Sequence, residues 1–387
     1  MMYLDASATS QKPQIVLDAM NDFYTTSNAN VHRGMHVLSE RATTEYEKAR
    51  ESVRRFLNAS STDEIIFTKS STESINLVAR CYGEHFLKEG DAVLVSILEH
   101  HSNIVPWLQL KEKKGIDVRW IEVDQQGQIR MDSFESQLAE KKVKMVAITG
   151  LSNVLGTLPP LKEMIASAHK AGALVIVDAA QLAAHAQIDV QDLDCDFLAF
   201  SGHKIYGPTG IGVLYGKKDL LGAMPPFLGG GMMIKEVTRG HFVATDLPAK
   251  FEAGTPPIAE AVGLRTAIEW QKTFSWKDRQ DHEREMLALA LSELKKIEGL
   301  HILGPKNPDQ ILGCISFVVD GVHPHDLTDI LGSQGICLRA GHHCAQPLHD
   351  TLGIPASTRL SISLHTTKDD ILILTPAITK AIKILKK

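Results

Sequence analysis

The segment Ser201-Gly202-His203-Lys204 places an amine directly after the apolar run Phe197-Leu198-Ala199-Phe200. Such a run predicts a buried strand, and open α/β folds bind their ligands at the carboxyl ends of such strands. Burial disfavours a charged ammonium and lowers the pKa of a lysine, and the neutral amine is the form that makes a Schiff base with a carbonyl. The alternative is a solvent-exposed lysine just past a strand end. Lys204 is therefore a candidate nucleophile that needs support from other residues.

A carboxylate ends the most apolar predicted strand, Leu174-Val175-Ile176-Val177-Asp178. Pyridoxal phosphate enzymes pair a Schiff-base lysine with an aspartate at the pyridinium nitrogen, and Asp178 could have that role. It could also cap the helix that follows, which is the favoured interpretation for the residue alone. Together with Lys204, which follows the next buried strand, Asp178 favours a cofactor clamp.

Hydroxyl groups precede an apolar helical segment in Ser70-Ser71-Thr72-Glu73-Ser74-Ile75-Asn76. Hydroxyls and amides at the start of a helix are suited to binding a phosphate. The same residues fit a capping box, in which Ser70 and Glu73 satisfy each other's backbone amides. From these residues alone, the capping box is the favoured interpretation.

A cysteine lies in Arg339-Ala340-Gly341-His342-His343-Cys344-Ala345-Gln346-Pro347, where a glycine and a proline indicate a loop. Arg339, His342 and His343 would surround the thiol with positive charge, which lowers its pKa and makes it nucleophilic. Two histidines and a cysteine could instead form part of a zinc site, but three consecutive residues rarely bind one ion. We therefore predict no metal site. Cys344 is a candidate nucleophile, with an exposed structural cysteine as the alternative.

Two other side chains could contact a flat cofactor and a carboxylate. His100, in Glu99-His100-His101-Ser102-Asn103, could stack on a ring or move protons near neutral pH. The histidine spacing there argues against a zinc protease-type site. Arg359, in Ser357-Thr358-Arg359-Leu360-Ser361, could hold a substrate carboxylate through two parallel hydrogen bonds. A surface salt bridge is the alternative for this arginine.

The length and composition indicate a two-domain protein. At 387 residues the chain exceeds what one hydrophobic core usually supports, so we expect a large domain over 1–272 and a small domain over 273–387. A formal net charge of −5 gives no support for nucleic acid or an anionic membrane as partner. The N-terminus lacks a secretory pattern, and no apolar run is long enough to span a bilayer. Five widely spaced cysteines favour a reducing cytoplasm.

Strand-like and helix-like segments alternate along the first two thirds of the chain, which predicts a mostly parallel sheet covered on both faces. Strands are predicted over 92–96, 118–123, 144–149, 174–178, 197–200 and 210–215, and helices over 102–114, 161–171 and 258–272. The glycine- and proline-rich segment 224–257 is predicted to be a long functional loop. A charged helix over 276–297 leads into a small α+β unit, with strands over 313–319 and 335–339 and helices over 325–332 and 367–385.

Seven segments of the sequence together resemble one enzyme family. They are Tyr3-Leu4-Asp5, Val31-His32-Arg33-Gly34, Glu99 to Trp107, Val154-Leu155-Gly156, Ser201 to Gly210, Phe251 to Pro256 and Arg339 to Pro347. They resemble the SufS-type cysteine desulfurases, the group II branch of the class V pyridoxal phosphate enzymes. The resemblance extends from about Tyr3 to the C-terminus, and the lysine segment and the His-His-Cys-Ala loop are its specific motifs.

The resemblance implies a fold type I enzyme, with a mostly parallel seven-stranded sheet and a smaller α+β domain that carries the cysteine loop. Lys204 would form the Schiff base with pyridoxal 5'-phosphate, Asp178 would pair with the pyridinium nitrogen, and His100 would stack on the ring. The other cofactor contacts implied are Gln181 and Asn153 at the phenolate side, Ser71, Thr72, Ser201 and His203 at the phosphate, and Thr255 from the second subunit of a homodimer. The substrate carboxylate would bind Arg359, with help from His32 and Asn153.

The implied reaction converts L-cysteine into L-alanine and leaves a persulfide on Cys344, which passes to a SufE- or SufU-like acceptor for iron–sulfur cluster assembly. His323-Pro324-His325-Asp326 is similar to members that deliver sulfur to a zinc-containing SufU-type acceptor. Selenocysteine lyase is a closely related alternative. A class V aminotransferase or a kynureninase-like hydrolase would share Lys204 and Asp178 but would not need Cys344.

The sequence departs from the family pattern at two places. Leu228 precedes Gly229-Gly230-Gly231 where an acidic residue is expected. The segment Leu360 to Thr367 lacks the usual Arg-Ala-Ser and Tyr-Asn pattern, which leaves the substrate contacts near Ser361 and His365 open.

Overall fold

A computed structural model describes residues 1–140 and 142–386 of the protein. Its strands, numbered in chain order, are β1 Met2–Tyr3, β2 Ile65–Thr68, β3 Ala92–Ser96, β4 Asp117–Ile121, β5 Val143–Thr149, β6 Leu174–Asp178, β7 Phe197–Ser201, β8 Gly212–Gly216, β9 Ile234–Val237, β10 Phe242–Ala244, β11 Leu300–Leu303, β12 Cys314–Val319, β13 Ile336–Cys337, β14 Arg339–Gly341 and β15 Ser357–Ser361. Its α-helices are α1 Gln14–Thr26, α2 Val37–Leu57, α3 Ser71–Leu77, α4 Glu84–Phe86, α5 Val105–Lys114, α6 Met131–Ala139, α7 Leu161–Lys170, α8 Leu182–His185, α9 Val190–Leu193, α10 Lys218–Ala223, α11 Ile258–Lys272, α12 Trp276–Leu294, α13 Pro324–Ser333, α14 Gln346–Thr351, α15 Lys368–Leu372 and α16 Leu374–Leu385.

The central sheet contains seven strands in the order β2-β8-β7-β6-β5-β3-β4. The five strands from β7 to β4 are parallel, whereas β8 is antiparallel to both of its neighbours. The predicted fold, an α/β protein with a mostly parallel seven-stranded sheet, is confirmed. The sequence did not predict β2, a strand of only four residues.

The strands of this sheet are apolar because both of their faces are buried. Successive side chains of a strand point to opposite faces, and β7 shows this clearly. Leu198 and Phe200 pack into the hydrophobic cluster on one face, and Phe197 and Ala199 pack into the cluster on the other. Polar chemistry is therefore confined to the strand ends, where Ser201 follows.

The C-terminal part of the chain forms a second unit with its own core. Its antiparallel sheet has the order β11-β12-β15-β14, and α12, α13 and α16 contribute to one hydrophobic cluster with it. The first residues of the chain join this unit, because β1 pairs in parallel with β13 and Leu4 is buried in the same cluster. The division into domains at residue 272 stays a prediction, and this return of the N-terminus was not part of it.

The predicted helices are present with small differences. The segment expected to be one helix over 102–114 begins with a 3-10 turn, His101–Asn103, before α5. Pro106, which lacks an N–H, lies in the first turn of α5, where no intrahelical donor is needed. The C-terminal helix divides into α15 and α16. Within residues 1–140 and 142–386, no helix has the length and apolar composition required to cross a membrane.

The predicted long loop over 224–257 contains an antiparallel hairpin, formed by β9 and β10. Its end is anchored by Glu252, whose carboxylate accepts two hydrogen bonds from the buried guanidinium of Arg50, at 2.7 and 2.9 Å. The backbone N–H of Phe67 and the hydroxyl of Tyr46 also donate to this carboxylate. A buried ion pair with this many hydrogen bonds holds its backbone firmly. This anchor lies three residues before Thr255.

Candidate active site

A cavity of about 290 Å³ opens at the carboxyl ends of the parallel strands. Its walls come from both units, since Asp178 ends β6, Ser201 ends β7 and Arg359 lies in β15. The predicted site residues that line it are Ser71, Thr72, His100, Asn153, Asp178, Gln181, Ser201, His203, Lys204, Cys344 and Arg359. Residues separated by most of the chain length are thus gathered around one space.

The amine of Lys204 and the carboxylate of Asp178 line the same cavity. Lys204 lies in the 3-10 turn that follows β7, and burial lowers its pKa while Asp178 opposes the shift. Burial raises the pKa of Asp178, and Lys204 opposes that change. Among the described residues no ion pair joins these two groups directly. Asp178 does not cap α8, because Gln181 is the N-cap residue of that helix.

Hydroxyl groups from two elements meet at one end of the cavity. The backbone N–H of Ser71 donates to the hydroxyl oxygen of Ser201 at 2.9 Å, and the two hydroxyls lie 3.0 Å apart. Ser70 caps α3 by accepting from the N–H of Glu73 at 3.3 Å, but the predicted capping box is incomplete, because the carboxylate of Glu73 accepts from the N–H of Lys69 at 2.6 Å and not from that of Ser70. A Cβ at Gly212 would lie 2.4 Å from the backbone of Ser70, so only glycine allows β8 to approach this turn. The turn that caps α3 therefore also places the hydroxyls of Ser71 and Ser201 at this end of the cavity.

His100 is held as a neutral ring beside Lys204. Burial, followed by the charge of Lys204, lowers the pKa of His100 to about 3. Its Nδ1 accepts a hydrogen bond from the backbone N–H of Ser102 at 3.1 Å, which places the ring proton on Nε2. A pKa of about 3 suits stacking on a flat ring better than proton transfer near neutral pH.

The loop that carries Cys344 is held by its backbone carbonyls. The N–H of His101 donates to the carbonyl of Cys344 at 2.7 Å, and the side-chain amide of Asn153 donates to the carbonyl of His343 at 2.7 Å. The thiol itself is exposed at the cavity. One expectation about its surroundings is wrong: burial lowers the pKa of His343 to about 2, so this ring is neutral and adds no positive charge.

Arg359 is buried and is not a surface ion pair. It donates from Nη1 to the carbonyl of Asn153 at 2.8 Å and from Nη2 to Asp5 at 3.2 Å. Its Nε is buried and has no hydrogen-bond partner among the described residues. Asp5 also binds Arg339, at 3.0 Å, and so joins two guanidinium groups beside the thiol. A carboxylate ligand would satisfy the unpaired Nε of Arg359.

Two predicted site residues lie outside this cavity. Thr255 lines a separate cavity of about 390 Å³, which Leu228 also lines. His32 is partly exposed and lies 3.5 Å from Glu47. The role of Thr255 stays a prediction, since this residue was expected to act from the second subunit of a homodimer. His32 was expected to help Arg359 bind the substrate carboxylate, but it does not line the cavity that Arg359 lines. Ser361 and His365, from the segment that departs from the family pattern, do not line the cavity either.

The sequence did not predict the structural importance of Asp5 and Glu99, although both lie in segments that resemble the family. Glu99 is fully buried below the cavity. Its carboxyl group receives hydrogen bonds from Ser96 at 2.5 Å, Asn103 at 2.7 Å and the N–H of Thr149 at 2.8 Å. No cation is paired with it among the described residues. Burial raises the pKa of Glu99 to about 8.

Because the pKa of Glu99 is raised on folding, its contribution to stability is present at low pH and is lost as the pH rises. The folded protein keeps this proton between about pH 4.5 and pH 8, while the unfolded chain releases it. We expect Glu99→Gln, which cannot ionise, to reduce the fall in unfolding free energy over that range. Urea unfolding at several pH values measures how steeply the unfolding free energy falls with pH. This slope does not depend on any loss of stability that the substitution causes equally at every pH. Equal slopes for both proteins would contradict the shifted pKa.

These residues fit pyridoxal 5'-phosphate. The separated amine and carboxylate of Lys204 and Asp178, the hydroxyls of Ser71 and Ser201, and the neutral ring of His100 correspond to the reactive end, ring nitrogen, phosphate and ring face of that cofactor. The sheet order and this clamp define the class of protein as a fold type I pyridoxal phosphate enzyme.

Comparisons with known proteins agree with that class and narrow it. The sequence model of the family described as aminotransferase class-V matches residues 2–374. A probable cysteine desulfurase from Halalkalibacterium halodurans is 48% identical over 96% of this chain and 90% of its own length. A cysteine desulfurase from Haloferax volcanii is 44% identical over 98% of this chain and 89% of its own.

Solved structures lead to the same group. The cysteine desulfurase CsdA from Escherichia coli, in an S-sulfonic acid form, superposes with a TM-score of 0.92 at 41% identity, covering 99% of this chain and 95% of that one. An apo cysteine desulfurase from Thermococcus onnurineus gives a TM-score of 0.95 at 38% identity, covering 99% and 94%. The chain belongs to the aminotransferase class-V family, as a pyridoxal phosphate-dependent homologue of the cysteine desulfurases.

Proposed function

We propose that the protein is an L-cysteine desulfurase, which converts L-cysteine into L-alanine and holds the sulfur as a persulfide on Cys344. The observation that carries the proposal is the presence of Cys344 in the same cavity as Lys204, Asp178 and Arg359. An aminotransferase or a kynureninase-like hydrolase would need the lysine and the aspartate but has no use for a thiol there.

Lys204, Asp178 and His100 would hold the reactive end, the ring nitrogen and the ring face of pyridoxal 5'-phosphate. Gln181 and Asn153 would contact its phenolate side, and the polar groups of Ser71, Thr72, Ser201 and His203 its phosphate. When bound, the cofactor supplies an electron sink for the bonds around the substrate α-carbon. The lowered pKa of Lys204 favours the neutral amine that must react with it.

Arg359 would bind the substrate carboxylate, because its buried Nε has no partner among the described residues, while Asp5 accepts from Nη2 and the carbonyl of Asn153 from Nη1. The sulfur of Cys344, as a thiolate, would then attack the substrate sulfur. A sulfur–sulfur bond forms, the carbon–sulfur bond breaks, and its electron pair stays with the carbon that becomes the methyl group of alanine. Cys344 loses its thiol proton before the attack, and the carbon takes up one proton to become the methyl group, so the protons balance. The transferred sulfur remains on the enzyme.

The proposal includes a homodimer, in which Thr255 completes the cofactor site of the second copy, and a protein that accepts the sulfur. A SufE- or SufU-like acceptor would reach the exposed thiol of Cys344. The segment His323-Pro324-His325-Asp326, at the start of α13, supports the SufU-like type by its similarity to members that use one. We place the protein in the cytoplasm and its sulfur in iron–sulfur cluster assembly.

Mass spectrometry of the intact holoenzyme after brief treatment with L-cysteine tests this function. We expect one added sulfur atom, located on Cys344 by peptide mapping, together with one equivalent of L-alanine. Alanine without any sulfur adduct on this residue would contradict the persulfide role. The same assay with selenocysteine compares the rates of alanine formation from the two substrates. A faster rate with cysteine indicates a desulfurase, and a faster rate with selenocysteine indicates a selenocysteine lyase.

A further inference from the structure

A serine hydroxyl joins two buried histidine rings that lie on either side of Cys344 in the sequence. Ser357, at the start of β15, has its Oγ 3.1 Å from Nε2 of His343 and 3.0 Å from Nε2 of His349. Nδ1 of His349 lies 3.0 Å from the carbonyl oxygen of Ala345. The chain of hydrogen bonds therefore starts and ends on the two neighbours of Cys344, His343 and Ala345.

The direction of each hydrogen bond in this series follows from its last acceptor, the carbonyl oxygen of Ala345. A carbonyl only accepts, so Nδ1 of His349 carries the proton and its Nε2 has a lone pair. That lone pair accepts the single hydroxyl proton of Ser357, whose oxygen must then accept from Nε2 of His343. Both rings are neutral, because burial lowers the pKa of each. The proton of His343 is therefore on Nε2, and its Nδ1 carries a lone pair.

This lone pair is left without a donor. Nδ1 of His343 is buried and has no hydrogen-bond partner among the described residues, and the residue as a whole is only 8% exposed. His343 also lines the cavity that contains Lys204 and Arg359. An unpaired buried acceptor destabilises the protein, and a donor on a bound ligand would remove that cost. Because the pKa of His343 is about 2, its Nδ1 accepts hydrogen bonds at neutral pH but does not act as a base.

The backbone around the thiol adds a second reason to treat this geometry as functional. His343 and Cys344 both adopt positive φ angles, 51° and 58°, which non-glycine residues rarely do. Strain of this kind persists where surrounding contacts impose it, and it occurs often at functional sites. Here the hydrogen bond between His343 and Ser357 and the two carbonyl contacts of the loop hold this segment.

We propose that His343 contacts the substrate, and that its Nδ1 accepts a hydrogen bond from the thiol of bound L-cysteine. Ser357 and His349 are the positioning residues, because their hydrogen bonds keep this nitrogen unprotonated. The identity of the donor rests on the proposed function. Cysteine offers an ammonium and a thiol as donors, and the amine is committed to the cofactor, which leaves the thiol. The contact would hold the substrate sulfur beside Cys344, the next residue along the chain.

Two substitutions of His343 separate its two nitrogens. His343→Asn keeps an acceptor near the position of Nδ1 but is too short to reach Ser357. His343→Gln can donate to Ser357 in place of Nε2 but has no acceptor near Nδ1. Both substitutions are introduced into Cys344→Ala, which should bind cysteine without sulfur transfer. Each protein is titrated with L-cysteine and, separately, with L-alanine, and the change in the visible spectrum of the bound cofactor measures binding. Alanine lacks the thiol and so reports binding of all other groups.

We expect His343→Gln to weaken the binding of L-cysteine by roughly threefold to tenfold, with L-alanine unchanged, because one hydrogen bond of modest strength is lost. His343→Asn should retain most of the preference for cysteine over alanine. The inference is overturned if His343→Gln leaves that preference intact, or if His343→Asn loses it to the same extent. Thermal unfolding of each variant shows whether the loop has simply melted. A Cys344→Ala protein whose spectrum responds to neither amino acid would overturn the proposed function itself, and this inference with it.

Discussion

Replacing Cys344 with serine is expected to reduce persulfide formation and alanine production from L-cysteine by more than about 10³-fold, because a hydroxyl cannot replace a thiolate as the nucleophile. The cofactor should stay bound, since the side chain of Cys344 is exposed and the loop is held through backbone carbonyls that the variant keeps. Single-turnover release of alanine, together with the visible spectrum of the holoenzyme, measures the two effects separately.

The matched control for this experiment is Cys337→Ser, which alters the partly exposed thiol at the end of β13 outside the cavity. It should form the persulfide at the rate of the unaltered protein. If Cys344→Ser releases alanine from cysteine at an undiminished rate, the nucleophilic role is refuted and a different desulfuration chemistry is required.

Lys204→Ala should lose the covalent attachment of the cofactor and nearly all activity, by more than about 10³-fold, since no other amine lines the cavity in the described part of the chain. Borohydride reduction of the holoenzyme, followed by peptide mapping, is expected to label Lys204 in the unaltered protein. The variant should give no labelled peptide and no visible Schiff-base absorbance.

Lys12 provides the control for that result. Burial lowers the pKa of Lys12 to about 8, and its amine donates to the carbonyl of His203 at 3.2 Å, so it is a second nucleophilic amine near the site. Lys12→Ala should retain the Schiff base and the labelled peptide of Lys204. A label that moves to Lys12, or that survives Lys204→Ala, would show that the wrong lysine has been assigned.

The sequence predicted the fold well because both faces of the parallel strands are buried. A strand such as Phe197 to Ser201 must be continuously apolar and must end in polar residues at the sheet edge, so its position and the place of Lys204 can be inferred from one short segment. Asp178 followed from the same reasoning. Cys344 could be selected because its loop combines turn residues with an unusual group of side chains.

The remaining parts of the site depend on contacts between distant segments, which local patterns do not encode. Nothing near Asp5 in the sequence indicates that it binds Arg339 and Arg359, and nothing near Ser357 indicates two histidine partners. The neutral state of His343 was mispredicted for the same reason, since its charge depends on burial against β15. The predicted contact of Thr255 with the cofactor of a second subunit depends on how two chains associate.

The pairing of Met2–Tyr3 with Ile336–Cys337 has a consequence for how the enzyme is made. The contact between Asp5 and Arg339 spans 334 residues of sequence, so a ribosome adding about 5–20 residues per second needs roughly 15 seconds to a minute between the synthesis of the two partners. In the later part of that interval, once Lys204 has been added, the nascent chain has this amine but lacks both the thiol and its guanidinium neighbours. A partly synthesised polypeptide could therefore capture the cofactor, but it could not begin sulfur chemistry until translation is almost finished.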